Sequence, residues 1–221
     1  MLKERLEFLR GPGGLRAAGY FGLKLITRID VFRIVWILTR SNTSLMLPPG
    51  WRYLSLHTEE ALSGLSRAMI ERVAEQCGPN PKQLVGRGGS LHLLVAGDSL
   101  VAQLSIERGP NCRVDSPPLL LGMAETDAFL GYLYTWPAYR RQGAARCLIA
   151  ATVSDLSPHN VRRILAHVRA TNVPSLAAFE HAGWKTGATI LCTLSGRLLM
   201  APGAARARLT VRPVANAPKV G

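Results

Sequence analysis

A strand that stops at a Trp-Pro pair and passes through a short basic turn into a glycine-opened helix constrains this chain more than any other feature. The segment reads Thr135-Trp-Pro-Ala-Tyr-Arg-Arg-Gln-Gly-Ala-Ala145. Phe129 to Thr135 is apolar and aromatic, and Pro137 ends it because proline has no amide to give to a ladder. Gly143 to Leu156 then reads as a helix. The first amides of a helix have no partners within it, and the aligned peptide dipoles add partial positive charge there. With only Gly143, Ala144 and Ala145 around them, those amides are open to a phosphate oxygen, so the turn reads as a diphosphate cradle. No Gly-Lys-Ser/Thr follows, and the spacing is not G-x-G-x-x-G; a Walker loop and a dinucleotide fingerprint are both excluded.

Around this block, strands and helices alternate. Trp51–His57 reads as a strand, Glu59–Gln76 as a helix, and Leu91–Val95 and Leu100–Ile106 as a hairpin across Gly97-Asp98. Val161–Arg169 is a strand, Pro174–Ala182 a helix opening after Asn172, and Ala188–Met200 one or two strands. Residues 78–89 are rich in turn formers, and residues 109–127, with a Pro-Pro pair, read as a loop or insertion. The expected architecture is α/β around one sheet. Three parts are expected: a basic amphipathic extension over 1–47, containing helices at Leu2–Leu9 and Leu15–Leu38; a domain over 48–201; and a basic, loosely attached tail over 202–221. Pro48-Pro49-Gly50 marks the first boundary.

The two motifs that flank the strand Val161–Arg169 resemble the GNAT superfamily of acyl-coenzyme A dependent N-acetyltransferases. Arg140-Arg141-Gln142-Gly143-Ala144-Ala145 fits its Q/R-x-x-G-x-G/A signature, with Pro137 and Tyr139 before it. Asn172, Ser175, Phe179 and Gly183-Trp184 fit N-x-x-(A/S)-x-x-x-(Y/F)-x-x-x-G-(F/W). The resemblance spans about residues 50–200 and is sharpest over 129–185. It implies a mixed, mostly antiparallel central sheet flanked by helices, here with an N-terminal helical extension.

It also implies a site. Amides around Gln142, Gly143, Ala144 and Ala145 would hold the diphosphate of acetyl-coenzyme A, with Arg140 or Arg141 on its phosphates. Backbone groups of Leu133 and Thr135 would pair with the pantetheine arm like an added strand, and amides near Thr135 would polarise the thioester carbonyl. Asn172, Ser175 and Phe179 would flank the pantetheine, although Asn172 also reads as a plain helix cap. The implied reaction is direct attack of an amine on the thioester, needing a base for the amine and an acid for the thiolate. The family often has a tyrosine acid where Phe179 stands, and phenylalanine donates no proton. Tyr132 and Tyr134 are the substitutes, while Glu125, Asp127 and His167 are candidate bases. His57, His92, His159 and His181 form no constellation in the sequence, and Cys147 suits a packed helix face.

The donor, acceptor and setting stay open. The simplest acceptor is a primary amine of a small molecule or amino sugar. One alternative is a long-chain acyl transfer from acyl-coenzyme A or acyl carrier protein; another is a catalytically weak coenzyme A-binding module. The chain carries 27 Lys+Arg against 14 Asp+Glu, net +13. Residues 1–40 contribute eight bases and three acids, and residues 197–221 five bases and no acid. These basic ends suit an acidic carrier protein or an anionic membrane surface, whereas nucleic acid has charge alone in its favour. Four cysteines without paired spacing predict neither disulfides nor a metal, and a reducing, cytoplasmic setting is expected, with peripheral membrane contact through the N-terminal segment.

Overall fold

The computed structural model describes residues 22, 26–40, 46–115, 118–194 and 197–214. Its centre is an eight-stranded sheet. The strands are β1 (Ile29–Leu38), β2 (Trp51–Leu56), β3 (Ser90–Ala96), β4 (Ser99–Arg108), β7 (Asp127–Thr135), β8 (Arg163–Arg169), β9 (Lys185–Thr193) and β10 (Leu198–Met200), in the order β10-β9-β1-β8-β7-β4-β3-β2. All neighbours are antiparallel except β7 and β8. A second sheet of β5 (Asn111–Asp115), β6 (Pro118–Gly122) and β11 (Thr210–Pro213) has the order β11-β6-β5.

One face of the large sheet is covered by α4 (Ala144–Leu156) and α5 (Val173–His181). Helix α4 buries Cys147, Leu148, Ile149, Val153 and Leu156, as its unbroken apolar run requires. On the other face, α1 (Glu59–Ser63), α2 (Arg67–Cys77) and α3 (Pro81–Gly86) cover the β2–β4 side, and the small sheet covers β8, β1 and β9. Burying Cys112, Val114, Leu119 and Leu121 against Phe32, Ile34 and Ile190 holds the two sheets together.

The structure corrects several expectations. Ile29–Leu38 is a strand rather than the end of an amphipathic helix, and it lies third in the sheet between β9 and β8. The β-branched run favours a strand, and alternation buries Phe32 and Ile34 while Arg33 faces out. The boundary at residue 47 therefore separates strands that share one sheet. Residues 109–127 contain the hairpin of β5 and β6 rather than a loop, and α3 lies within the expected turn region, capped by Asn80. Beyond Pro202 the chain stays attached: Ala204, Ala207 and Leu209 are buried, and Thr210–Pro213 pairs with β6. The helix expected over Glu59–Gln76 is divided where Gly64 closes α1 and Ser66 caps α2. The helix expected over Leu2–Leu9, the start of the one expected over Leu15–Leu38 and the last seven residues of the tail lie outside the described residues.

Candidate active site

Strands β7 and β8 pair only from Asp127–Leu130 to Arg163–Ala166. Past that point each keeps its outer neighbour and loses the other. Tyr134 and Thr135 continue on β4, whereas His167, Val168 and Arg169 continue on β1. A bulge in β7 starts the divergence: two residues, Tyr132 and Leu133, oppose Leu104 alone, and Tyr132 takes a left-handed φ of 49°. The resulting cleft is a cavity of about 310 Å3. Its walls come from Phe129–Leu133 on one strand, Ala166–Arg169 on the other, the first turns of α5, and Arg113 and Val114 of the small sheet.

Just beyond the end of β7 lies the start of α4. Gly143 is its N-cap at φ 79°, and no side chain among the described residues caps it. A Cβ on Gly143 would meet nothing within 4 Å among those residues, so the helix opens onto free space. The basic turn is braced from inside: Arg140 Nε donates to the Thr135 carbonyl at 3.2 Å, and Gln142 Nε2 donates to that of Ala138 at 2.9 Å. Arg141 sits at φ 64° and is exposed. Uncapped amides, a helix dipole and exposed guanidinium groups beyond the end of β7 are the features that an anion cradle requires.

Residues 54–184 match the Acetyltransferase (GNAT) family. This chain belongs to that family. Its fold is similar to that of a GNAT-family protein from Novosphingobium aromaticivorans (TM-score 0.51, 17% identity, covering 75% of this chain and 63% of that one). It is also similar to a GCN5-related N-acetyltransferase from Kribbella flavida (TM-score 0.52, 13% identity, 86% and 66%). A third likeness is to a GCN5-related N-acetyltransferase from Sphaerobacter thermophilus (TM-score 0.50, 14% identity, 78% and 56%). The chain thus spans 56–66% of the length of these structures. No curated protein matches it.

Within this GNAT fold the expected site residues separate into two groups. Leu133, Tyr132, Asn172, Ser175 and Phe179 line the cavity, whereas Thr135 ends β7 and Arg140–Ala145 follow it in the chain, outside the cavity lining. Phe179 is 2% exposed and packs edge-on against Trp184 at 4.7 Å, an apolar wall with no proton to give. Asn172 Oδ1 accepts from the Ser175 amide at 3.3 Å and so caps α5. The bulge breaks the simple alternation of Tyr132 and Tyr134. Tyr132 lines the cavity and lies over Gly78, where an added Cβ would stand 2.0 Å from its ring. Tyr134 packs edge-on against Trp136 and beneath Arg140.

Glu125 and Asp127 are not brought to the cavity. Both stand at the paired end of β7, with Asp127 four residues and about 13 Å of strand rise before Gly131. Asp127 is 3% exposed and holds both Arg163 Nε (3.0 Å) and Arg163 Nη2, while also accepting from the Ala124 amide at 3.0 Å. Its carboxylate ties the paired end of β7 to β8. Glu125 is exposed on the turn before β7.

His167 does reach the site. It lines the cavity, stacks on Phe32 at 4.3 Å, and buries an Nε2 with no hydrogen-bond partner among the described residues. Burial and then Arg169 push its pKa down to about 4, so the ring is neutral at neutral pH. A histidine on the strand after the cradle was the signal for this in the sequence. What the sequence could not supply was the face it points to.

Proposed function

We propose that the chain transfers an acetyl group from acetyl-coenzyme A to the primary amine of a small molecule by direct attack. The parting of β7 from β8 beside an uncapped, glycine-opened helix carries this reading. The amides of Gly143, Ala144 and Ala145 hold the diphosphate, and the β7 backbone past the bulge takes the pantetheine arm as an added strand. The acceptor enters from the side of Arg113 and Arg169, opposite α4 and α5.

In the reaction the amine nitrogen forms a bond to the thioester carbon, the C–S bond breaks, and the proton lost by the amine ends on the solvent or on a cavity group. His167, neutral and largely buried, accepts that proton, and the Tyr132 hydroxyl supplies one to the thiolate. Arg113 and Arg169 line the acceptor side, Arg169 with its Nε 3.2 Å from the Asp30 carboxylate, and no carboxylate lines the cavity itself among the described residues. An amine that also bears a carboxylate or phosphate therefore suits the site better than a polycationic one.

The test is calorimetric binding of acetyl-coenzyme A to the full chain, then thiol release against a panel of amines with and without an anionic group. Binding with release, strongest for the anionic amines, is the expected result. No binding removes the proposal. Release that rises with acyl chain length, or only with an acyl carrier protein as donor, replaces acetyl transfer with long-chain transfer.

A further inference from the structure

At the opposite end of α4 from the cradle, four side chains from three separate stretches of the sequence converge. His57 directly follows β2, His92 lies in β3, Asp155 in the last turn of α4, and His159 ends the 3-10 turn Ser157–His159. His57 Nε2 is 3.0 Å from Asp155 Oδ2, and one donor atom each from His57, Asp155 and His159 lie within 4.8 Å of one another. Asp155 and His159 are spaced i, i+4, the spacing that sets two side chains on one side of a helix end.

His92 is not a free donor. It is fully buried, with Nδ1 2.6 Å from the Tyr53 hydroxyl and Nε2 2.8 Å from Ser90 Oγ, and it stands 3.8 Å behind the Asp155 carboxylate. Tyr53, Ser90 and His92 thus form a hydrogen-bonded backing on the interior side of Asp155. The three outer groups face partly to solvent.

An ordinary ion pair explains His57 and Asp155 but not His159. The His159 ring lies against that of His57, with centroids 4.6 Å apart and planes 26° from parallel, instead of donating to the carboxylate. Two imidazoles beside one carboxylate, all around a common space, are what a divalent cation bonds and a single proton does not. Bonds of about 2.0–2.2 Å in a tetrahedral centre set donors roughly 3.3–3.5 Å apart. The His57–Asp155 pair is already near that value, and His159, exposed on a one-turn helix, closes the remainder by a side-chain rotation. Two nitrogens and one oxygen suit zinc rather than calcium or magnesium, which take oxygen shells.

We propose that His57, Asp155 and His159 form a zinc site that ties the end of edge strand β2 to the end of α4, with water completing the coordination. Helix α4 has 13 residues, so the site lies about 20 Å from the cradle. Its role is to hold the sheet edge, not to take part in acyl transfer. His92 is the positioning residue for Asp155.

The experiment uses the tag-free full chain, stripped with chelator and titrated with Zn2+ by calorimetry and with Co2+ by visible absorption. A saturable one-to-one isotherm is expected, with tetrahedral Co2+ bands that Zn2+ bleaches and a melting temperature that rises with added Zn2+. His159→Ala, an exposed change, should keep the metal-free melting temperature and lose the isotherm. His92→Gln should weaken zinc about 10–100-fold through the outer shell. His181→Ala, on the exposed face of α5, should change nothing. Absence of saturation, or zinc binding in His159→Ala equal to that of the parent chain, overturns the site. Because the readout is metal binding, the outcome is independent of acetyl-coenzyme A turnover.

Discussion

The two ends of the layer formed by β7, β8 and α4 are built on opposite principles. At the upper end the strands part, the helix begins with glycine and alanine, and backbone groups are left open. At the lower end side chains close the gaps: Asp127 pairs with Arg163, Asp155 with His57, and buried His92 is hydrogen-bonded between Tyr53 and Ser90. Arg163 also donates from Nη1 to the Ala207 carbonyl at 2.6 Å, and Arg108 to that of His159 at 2.7 Å, so segments far apart in the chain are pinned to this end. An end meant to receive a flexible thioester has to leave peptide groups unpaired. Unpaired groups weaken the fold locally, and the closed end offsets that weakness.

The comparison breaks most readily at Asp127. Asp127→Asn leaves the Arg163 guanidinium buried with half its partner, at a cost of about 3–5 kcal/mol. Urea unfolding should show that loss, while acetyl-coenzyme A binding by the folded fraction stays unchanged. A matching loss of affinity would put Asp127 back among the acceptor-side groups.

Acidification probes both ends at once. Burial lowers the pKa of His167 to about 4 and that of His92 to about 3. Below an unfolded value near 6.5 the unfolded chain takes up protons that the folded chain refuses. Stability is therefore fully present above about pH 6.5 and lost as the pH falls through the folded values. At pH 5 each ring costs about 2 kcal/mol. Urea midpoints at pH 7.5 and 5 measure the sum. His167→Phe, which keeps the stack on Phe32, should remove about half of the difference, and an undiminished difference would assign all of it to the lower end.

At the cradle, Ala145→Glu separates folding from binding by sign. A carboxylate in the first turn of α4 is favoured by the helix dipole, so the melting temperature holds or rises. The same charge faces the diphosphate, and affinity for acetyl-coenzyme A should fall at least about tenfold, or about 1.4 kcal/mol. Unchanged affinity would remove the cradle.

The same contrast governs what the sequence revealed. The upper end is made by contiguous residues, so Pro137, Gly143 and the Asn172 motif announced the strand end, the cradle and the second helix almost at their true positions. The lower end depends on pairs such as His57 with Asp155, 98 residues apart, for which no local pattern exists. Strand β1 was hidden for a related reason. The basic residues Lys24, Arg28 and Arg33, before and within it, fall at helix-like intervals, and only its place between β9 and β8 explains why Val35 and Ile37 are buried as well as Phe32 and Ile34. The short strands β5 and β6 were masked by the proline pair Pro117-Pro118 at the start of β6, although the alternation of Cys112 and Val114, then Leu119 and Leu121, was present. Tyr132 and Tyr134 seemed equivalent because a bulge has no signature in an alternating pattern.

Asn172 gives the finest test, because it belongs to both principles: it lines the open cavity and yet spends its side-chain oxygen on capping α5. Asn172→Ala removes the cap and should cost about 1 kcal/mol of stability. Asn172→Ser restores a capping oxygen on a shorter side chain that reaches less far into the cavity. If capping is the whole role, serine recovers both the melting temperature and the acetyl-coenzyme A affinity. If the amide also bonds the pantetheine, serine recovers the melting temperature alone, and the residual loss of affinity measures that bond separately from the helix it starts.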